Sequence, residues 1–486
     1  MRLDLKPYPA YKESGVEWLA EVPEHWEVLP NRALFVESKE CGYPDEPMLS
    51  VTITQGVIRQ TALLSDSSKK DSSREDKSAY KLVHTGDIAY NKMRAWQGAI
   101  GASDFQGIVS PAYIVQRSRR AGCPRYYHYF FRTPAFAKEA ERWSYGIASD
   151  MWSLRPEHFK LIRSCAPPIQ EQKAIVRYLD YMDRRIRRYI RAKQKLIKLL
   201  EEQKQVIIHE AVTGQIDVRT GKPYPAYKDS GVEWLGRIPE HWQVRRLAAI
   251  GHLFKGNGGS KEDESSVGIP CVRYGDIYMH HQFFVQKTRA CVLADRVSGY
   301  TAIRYGDVLF AGSGETIEEI GKSVACLISG PACCGGDIVV FRPSVELDAR
   351  FMGYAADSWP AVAQKSRMGR GTMIAHVYAD QLRNLMLAYP PLPEQRAIAR
   401  YLDDATANTD TAIANARREI ELLREYRTRL IADVVTGKRD VREVAASLPD
   451  EVEEAEPVAG EDLLADEGNV ERADEEPESG ARKTPV

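Results

Sequence analysis

The sequence predicts a mixed α/β (α+β) fold in which two globular lobes are separated by two long antiparallel coiled-coil helices. The first observation is a stretch without Gly or Pro over residues 171–212, in which apolar residues recur at steps of three and four, the spacing of a coiled-coil seam. Leu196 falls in this seam, and Lys193 and Gln203 interrupt it with polar side chains. The second is that this stretch returns: residues 168–180 match 391–403, and 212–219 match 435–442. Two equal seams predict helices that bury each other in a tandem repeat with a pseudo-two-fold axis.

A second repeat precedes each lobe. Residues 6–28 and 222–244 are nearly identical and rich in Pro, Gly and Tyr, which is typical of a connector rather than a regular element. Each copy contains Pro-Glu-His-Trp, which predicts a tight turn closed by a buried indole, Trp26 or Trp242. A catalytic role for His25 or His241 is the alternative, but no nucleophile repeats beside them.

The repeats divide the chain into seven segments. Pro-Pro before each long stretch and Gly214 or Gly437 after it mark the helix limits, and Glu171 and Glu394 suit the positive end of the helix dipole. The segments are a connector arm (1–25), a first lobe called lobe 1 (26–168), a spacer helix (169–213), the repeated connector (214–241), a second lobe called lobe 2 (242–391), a second spacer helix (392–437) and an acidic tail (438–486).

The net charge of −1 conceals an asymmetry. Residues 444–486 carry 14 acidic and 3 basic side chains, a net charge of −11, so the other 443 residues carry +10. A basic body favours a nucleic-acid partner, and ordinary solvated basic faces are the alternative. The tail has no periodicity and predicts a disordered appendage that could compete for the basic surface.

Several function classes find no support. The chain has no apolar run of 18 residues and no signal-peptide pattern, which predicts a cytoplasmic protein without a membrane partner. Its eight cysteines form no CxxC pair, so we expect free thiols and no metal site. Gly314 to Gly321-Lys-Ser has six intervening residues where a phosphate loop needs four. With no catalytic motif, we expect no catalytic residue and no cofactor in this chain.

The candidate DNA contacts lie in polar and basic loops of both lobes. Asn, Gln and Arg can pair with base edges, and Lys can contact phosphates. The segment 91–97 follows a predicted strand, 367–372 is a Gly-flanked basic loop, and 145–149 is its positional counterpart in lobe 1. The predicted contact residues are Asn91, Lys92, Arg94, Trp96, Gln97, Tyr145, Ser149, Ser313, Lys322, Arg367, Arg370 and Thr372.

The pattern resembles the specificity subunits of type I restriction-modification systems. The resemblance rests on the paired Pro-Pro-x-x-Glu-Gln helices, the Pro-Glu-His-Trp turns, the Asn91-Lys-Met-Arg-Ala-Trp96 stretch, residues 107–113 and the Gly321-Lys strand start, and it covers about residues 16–440. It implies that the lobes are target-recognition domains, each of which reads one half of a split double-stranded DNA site. The acidic tail is not part of the pattern.

The resemblance also implies partners. Two methyltransferase subunits would bind S-adenosylmethionine and flip an adenine, and motor-nuclease subunits would bind ATP and Mg²⁺, while this chain would catalyse nothing. The helix starts would dock the partners, through Glu171, Gln172, Ile175, Leu179, Glu394, Gln395, Ile398 and Leu402. A coiled-coil scaffold without specific DNA binding is the alternative function.

Overall fold

The computed structural model describes residues 5–64, 76–146, 152–259, 263–314, 316–317, 319–370 and 375–449. The chain divides into two compact units, the first made of Met1–Arg191 with Ile420–Val486 and the second of Ala192–Glu419. Residues 450–486 of the predicted acidic tail lie outside the described residues. Residues 65–81 are polar and charged, which predicts a loop, and residues 65–75 of this stretch also lie outside the described residues. Within the described ranges, no helix has the length and apolar character needed to cross a bilayer.

The first unit begins with short strands and helices and continues into a 45-residue helix. Its strands are β1 (Tyr11–Glu13), β2 (Glu21–Pro23), β3 (Glu27–Pro30), β4 (Phe35–Ser38), β5 (Leu49–Thr52), β6 (Gly56–Arg59), β7 (Lys81–Val83), β8 (Ile88–Asn91), β9 (Ile100–Ala102), β10 (Gly107–Val109), β11 (Tyr113–Ser118) and β12 (Arg163–Ala166). The helices are α1 (Asn31–Leu34), α2 (Thr61–Leu64), α3 (Pro124–Phe131), α4 (Pro134–Arg142), α5 (Pro156–Phe159) and α6 (Ile169–Thr213), the last of which continues into the second unit.

The second unit repeats this plan with more strands. Its strands are β13 (Tyr227–Asp229), β14 (Arg237–Pro239), β15 (Gln243–Arg246), β16 (Gly251–Lys255), β17 (Glu264–Ser265), β18 (Ile269–Val272), β19 (Phe283–Val285), β20 (Ala290–Val292), β21 (Thr301–Ile303), β22 (Val308–Ala311), β23 (Ser313–Gly314), β24 (Ser323–Cys326), β25 (Ala332–Cys334), β26 (Ile338–Pro343), β27 (Ala375–His376) and β28 (Met386–Tyr389). The remaining helices are α7 (Leu247–Ile250), α8 (Tyr274–Met279), α9 (Ala349–Ala356), α10 (Trp359–Met368), α11 (Ala379–Leu382), α12 (Leu392–Val435) and, in the first unit, α13 (Arg442–Ser447). The prediction of a disordered tail is wrong for α13, because its Ala445 is buried in the hydrophobic core of the first unit.

The central sheets of the two lobes have the same order. Lobe 1 contains β4-β11-β8-β9, and lobe 2 contains β16-β26-β22-β24 with β19 added in parallel at the edge. In both, a hairpin of two antiparallel strands, β8–β9 or β22–β24, is followed by a helix pair, α3–α4 or α9–α10. Residues 125–143 are aromatic and amphipathic, a pattern that predicts a single helix. The structure has two, because Pro134 begins a new helix that Thr133 caps by accepting from the Phe136 backbone at 3.3 Å.

The helices α6 and α12 run antiparallel in the second unit, where three ion pairs join them. The residue number of the partner on α12 decreases as the residue number on α6 increases, which confirms the predicted antiparallel pairing. The pairs are Lys193–Glu419 at 2.7 Å, Glu201–Arg417 at 2.8 Å and Lys204–Asp410 at 2.6 Å.

The seam of α6 differs from the predicted one in its second half. Leu196, which the three/four spacing placed in the seam, is 42% exposed, whereas Lys204 and Ile208 are buried. The polar interruption is therefore Lys204 rather than Gln203. Its ammonium donates to Asp410 at 2.6 Å and to Gln282 at 3.0 Å. The buried positions of α6 therefore depart from the apolar spacing, because the hydrogen bonds to Asp410 and Gln282 compensate for burying the Lys204 ammonium.

Candidate nucleic-acid interface

A glutamate at the start of each long helix binds side chains of the connector that precedes the lobe. Glu171 accepts hydrogen bonds from Tyr8 Oη at 2.5 Å and Trp26 Nε1 at 2.9 Å, and its other oxygen lies 2.8 Å from His25 Nε2. These four side chains are called connector cluster 1. Trp26 is fully buried, as the tight-turn prediction required, and the catalytic alternative for His25 gains nothing from this arrangement.

Lobe 2 has the same arrangement, connector cluster 2. Glu394 accepts from Tyr224 Oη at 2.9 Å and Trp242 Nε1 at 3.0 Å, and lies 2.8 Å from His241 Nε2. Burial opposes ionisation of Glu394, but hydrogen bonds from Trp242, His241 and Tyr224 outweigh it, so the pKa of this carboxyl lies below its usual value. Burial and the neighbouring carboxylate raise the pKa of Tyr224.

Glycine ends both helices at these clusters. Gly437 follows α12 with φ of 81°, and a Cβ there would lie 2.3 Å from Cδ of Pro23. Gly214 follows α6 with φ of 73°, and a Cβ there would lie 2.5 Å from Cδ of Pro239. Only glycine combines this backbone conformation with so close an approach.

The Gln of each Pro-Pro-x-x-Glu-Gln motif binds two backbone groups of the lobe that precedes its helix. Gln172 donates to Pro167 O at 2.8 Å and accepts from Cys123 N at 2.9 Å. Gln395 repeats both contacts with Pro390 and Asp348. All eight side chains predicted to dock partner subunits are buried inside their own units, so they do not form a surface open to another protein: Glu171, Gln172, Ile175, Leu179, Glu394, Gln395, Ile398 and Leu402.

In lobe 1, the candidate contact loop joins β8 to β9. Asn91 Oδ1 accepts from Met93 N at 3.0 Å, and Trp96 Nε1 donates to Met93 O at 2.9 Å, so Asn91 shapes the loop. The side chains of Lys92 and Gln97 are half-buried and make no hydrogen bond within the described part of the chain. They are therefore available to an external partner.

The segment after α4 lies against this loop. Leu154 N donates to Lys92 O at 2.8 Å, and the rings of Trp96 and Trp152 lie 5.7 Å apart. Tyr145 pairs with Ser153 through the backbone and is 59% exposed. The structure thus brings Tyr145 to the same side of lobe 1 as the 91–97 loop, where Arg94 is half-buried, while Ser149 lies outside the described residues.

In lobe 2, two of the predicted residues meet at a histidine. Ser313 Oγ lies 3.0 Å from His376 Nδ1, and the Arg370 backbone exchanges hydrogen bonds with His376 at 2.8 and 3.0 Å. The ring of Tyr378 stacks on His376 at 6.3 Å and is 56% exposed. Sequence reasoning missed His376 and Tyr378, although the alternation His-Val-Tyr beside a basic loop was a usable signal.

The other residues predicted in lobe 2 are dispersed. Lys322 donates to Tyr278 O at 2.9 Å, and burial lowers the pKa of its ammonium. Arg367 lies over the ring of Trp234 at 4.5 Å, with Glu233 at 3.5 Å, and so contacts the connector. Thr372 lies outside the described residues. Within the described ranges, no group of three or more His, Cys, Asp or Glu side chains could hold a metal ion.

Known proteins resemble this chain in both sequence and fold. Residues 239–422 match the family model described as a type I restriction modification DNA specificity domain. The specificity subunit assigned to the type I restriction enzyme MjaX of Methanocaldococcus jannaschii is 22% identical over 464 residues, covering 89% of this chain and 98% of the relative. The MjaVIII specificity subunit of the same organism is 23% identical over 289 residues, covering 58% of this chain and 64% of the relative.

A solved structure supports the fold. It comes from work on complex assembly and conformational transition of the type I R-M system, is 16% identical, and matches with a TM-score of 0.60. The match covers 85% of this chain and 98% of that chain. The fold of this chain is therefore one that a solved structure also has.

Proposed function

We propose that this chain is a specificity subunit of a type I restriction-modification system, as its similarity to such subunits supports, and that it selects a split DNA site, with one half read by each lobe. The observation that carries the proposal is the repeated scaffold with unlike loops. Equivalent hairpins, β8–β9 and β22–β24, carry 91–99 in lobe 1 and 312–322 in lobe 2, and these loops share almost no sequence. Because side-chain contacts to base edges determine which sequence is bound, two lobes with the same fold and different polar loops are expected to bind different half-sites.

The partners follow from the same proposal. The chain binds double-stranded DNA and assembles with two methyltransferase subunits and with motor-nuclease subunits, and catalysis belongs to those partners. S-adenosylmethionine, ATP and Mg²⁺ are bound by the partner subunits. The lobes supply sequence recognition through residues such as Lys92, Gln97, Tyr145 and Arg370, while the helices supply docking.

The docking surface is the exposed side of the helices. On α6 in the second unit, Leu196, Leu199 and Val206 are 42%, 52% and 54% exposed. They lie three and seven residues apart, which places them along one side of a helix. Exposed apolar side chains in such a row favour a protein partner, and we assign this row to a methyltransferase subunit.

The test is a genome-wide map of adenine methylation in the host, with and without this chain. We expect one split motif to disappear when the chain is removed. Replacing residues 242–391 by the second lobe of another specificity subunit should change one half of the motif and leave the other. A change in both halves would contradict independent reading, and an unaltered methylation map would favour the scaffold function.

A further inference from the structure

One arginine of lobe 1 holds two loops together. Arg132 lies at the junction of α3 and α4 and is mostly buried. No carboxylate pairs with it in the described ranges. Its guanidinium donates instead to four backbone carbonyls, those of Ile53 at 2.7 Å, Gly98 at 3.0 Å, Ile100 at 3.2 Å and Thr52 at 3.4 Å. Because arginine presents five donors in a rigid planar fork, it can bridge several carbonyls at once.

The strands that follow these two loops approach α3 at glycines, Gly56 at the start of β6 and Gly101 in β9. The first loop is the turn Thr52–Gly56 between β5 and β6, and the second is 91–98 between β8 and β9. A Cβ on Gly56 would lie 3.0 Å from Cε1 of His128, and one on Gly101 would lie 2.8 Å from its Nδ1. The close approach of β6 and β9 to α3 therefore depends on these glycines, while Arg132 joins the loops that precede the two strands.

Hydrogen bonds fix the backbone of this turn, whereas two of its side chains make no hydrogen bond within the described ranges. Thr52 Oγ1 accepts from Gln55 N at 3.0 Å and lies 3.3 Å from Gly56 O, which fixes the turn. The side chains of Thr54 and Gln55 are half-buried and make no hydrogen bond in the described part of the chain. A glutamine amide can pair with adenine N6 and N7, and a threonine can contact several base edges.

Lobe 2 has a charged residue in the equivalent place. Asp357 directly precedes the N-cap residue of α10, as Arg132 directly precedes the N-cap residue of α4. Its carboxylate accepts from Ser323 N at 3.1 Å and from Lys365 Nζ at 3.1 Å. Ser323 begins β24 as Ile100 begins β9. The junction residue thus anchors the end of the hairpin loop in both lobes, with opposite charge, and among the described residues only Arg132 of lobe 1 also holds a second turn.

We propose that the turn Thr52–Gly56 is a second DNA-reading loop of lobe 1, that Thr54 and Gln55 contact base edges, and that Arg132 is the positioning residue that fixes this turn beside the 91–98 loop. The proposal rests on the function proposed above. It adds a reading element that the sequence did not indicate. It also assigns the two loops to the same half-site.

The experiment uses the full chain in its host, with genome-wide adenine methylation as the measurement. Gln55→Ala should make one base of one half-site degenerate, with roughly ten- to hundredfold less discrimination there, and leave the other half-site and the gap unchanged. Gln106→Ala, which removes an exposed glutamine of the same lobe, is the matched control and should leave the motif intact.

Arg132→Lys should relax several positions of that same half-site, because a lysine cannot bridge both loops. Arg32→Lys, on an exposed arginine of lobe 1, is its control. A merely structural role for Arg132 would lower methylation at all sites without changing the motif, and this result would overturn the positioning role. If Arg132→Lys fails to accumulate, Gln55→Ala still decides the role of the turn.

The outcomes separate the two proposals. A wild-type chain that directs no split motif would overturn the proposed function and this inference together. A wild-type split motif that Gln55→Ala and Thr54→Val both leave unchanged would overturn the reading turn alone. A degenerate base in one half-site of either variant would support it.

Discussion

Trp26 donates a hydrogen bond from its indole nitrogen to the carboxylate of Glu171 at 2.9 Å, across 145 positions of sequence. This contact joins a connector turn to the start of a long helix, and Tyr8 and His25 reach the same carboxylate. The repeated Pro-Pro-x-x-Glu-Gln motif therefore has a structural explanation. Its Glu binds the connector, and its Gln binds the backbone at two places in the lobe, directly before the long helix and at the start of the helix pair.

Glu171→Gln should destabilise the first unit. The amide keeps one acceptor oxygen but loses the charge that three donors share, and hydrogen bonds to charged groups contribute about 1.5–3 kcal/mol. We expect a loss of about 2 kcal/mol in the free energy of unfolding, measured by urea denaturation with tryptophan fluorescence. Glu202→Gln, on the exposed face of the same helix, should have almost no effect. Equal losses in both variants would contradict the role of the cluster.

The stability of the second unit should depend on the ionisation of Glu394. The pKa of Glu394 is lower in the folded protein than in the unfolded chain, where a glutamate has a pKa of about 4.3. Its contribution is therefore fully present above that pH and is lost as the pH falls through the folded pKa. Between about pH 5 and pH 3, wild type should lose more unfolding free energy than Glu394→Gln. Parallel pH curves for the two proteins would rule this out.

The buried ammonium of Lys204 should make its two partners unequal. The Lys204 side chain is 5% exposed, whereas Asp410 is 50% exposed. Asp410→Ala leaves the buried ammonium with Gln282 and the ring of Phe283 as neighbours but without a counter-charge, and should cost about 2 kcal/mol of unfolding free energy. Lys204→Met replaces the charge by an apolar side chain in an apolar seam and should cost less. Urea denaturation of both variants measures the difference, and a larger loss in Lys204→Met would refute this account.

The exposed row on α6 should bind the methyltransferase partner. Leu199→Glu and Val206→Glu place charges on side chains that are more than half exposed, so thermal stability should remain near that of wild type. Recovery of the partner in co-purification should fall strongly. Lys198→Glu, on an exposed side chain of this helix outside the row, is the control for a change of charge alone. Full partner recovery with both Leu199→Glu and Val206→Glu would place docking elsewhere.

Lys92 should contact a phosphate rather than a base. Lys92→Ala should weaken DNA binding by a similar factor on all sequences and reduce the slope of log K against log salt by about 1. The measurement is a titration of a duplex at several KCl concentrations. Lys12→Ala, on an exposed connector lysine, should leave the slope unaltered. A change in sequence preference would instead make Lys92 a base reader.

The long elements were the parts that sequence could predict. The seam of α6, its end at Gly214 and the repeat at α12 depend on local spacing and on glycine, which one sequence displays directly. The substitution of Lys204 for an apolar seam residue could not be predicted, because it depends on Asp410 and Gln282, which are far away in the sequence. The split at Pro134 had a visible signal that the apolar pattern obscured.

The site was less accessible to sequence reasoning than the fold. The loop Asn91–Gln97 was identified because it follows a strand and is polar. The turn Thr52–Gly56 was not, because its place beside that loop depends on carbonyls bound by Arg132. Contacts to backbone carbonyls leave no pattern of residue types. Glu171 shows a related difficulty. A glutamate that is buried as an acceptor for the connector cannot be distinguished, from the sequence alone, from an exposed glutamate that docks a partner.

The first unit contains both early and late parts of the chain, and this has a consequence for synthesis on the ribosome. Residues 192–419 are contiguous, so the second unit is complete once its last residue has emerged. Lobe 1 emerges earlier but lacks Leu430, Val434 and Val435, which belong to its hydrophobic core. At about 5–20 residues per second, the ribosome supplies them roughly ten to fifty seconds after residue 191. The lobe translated first is thus the last to be finished, and its apolar surface is open to chaperones during that interval.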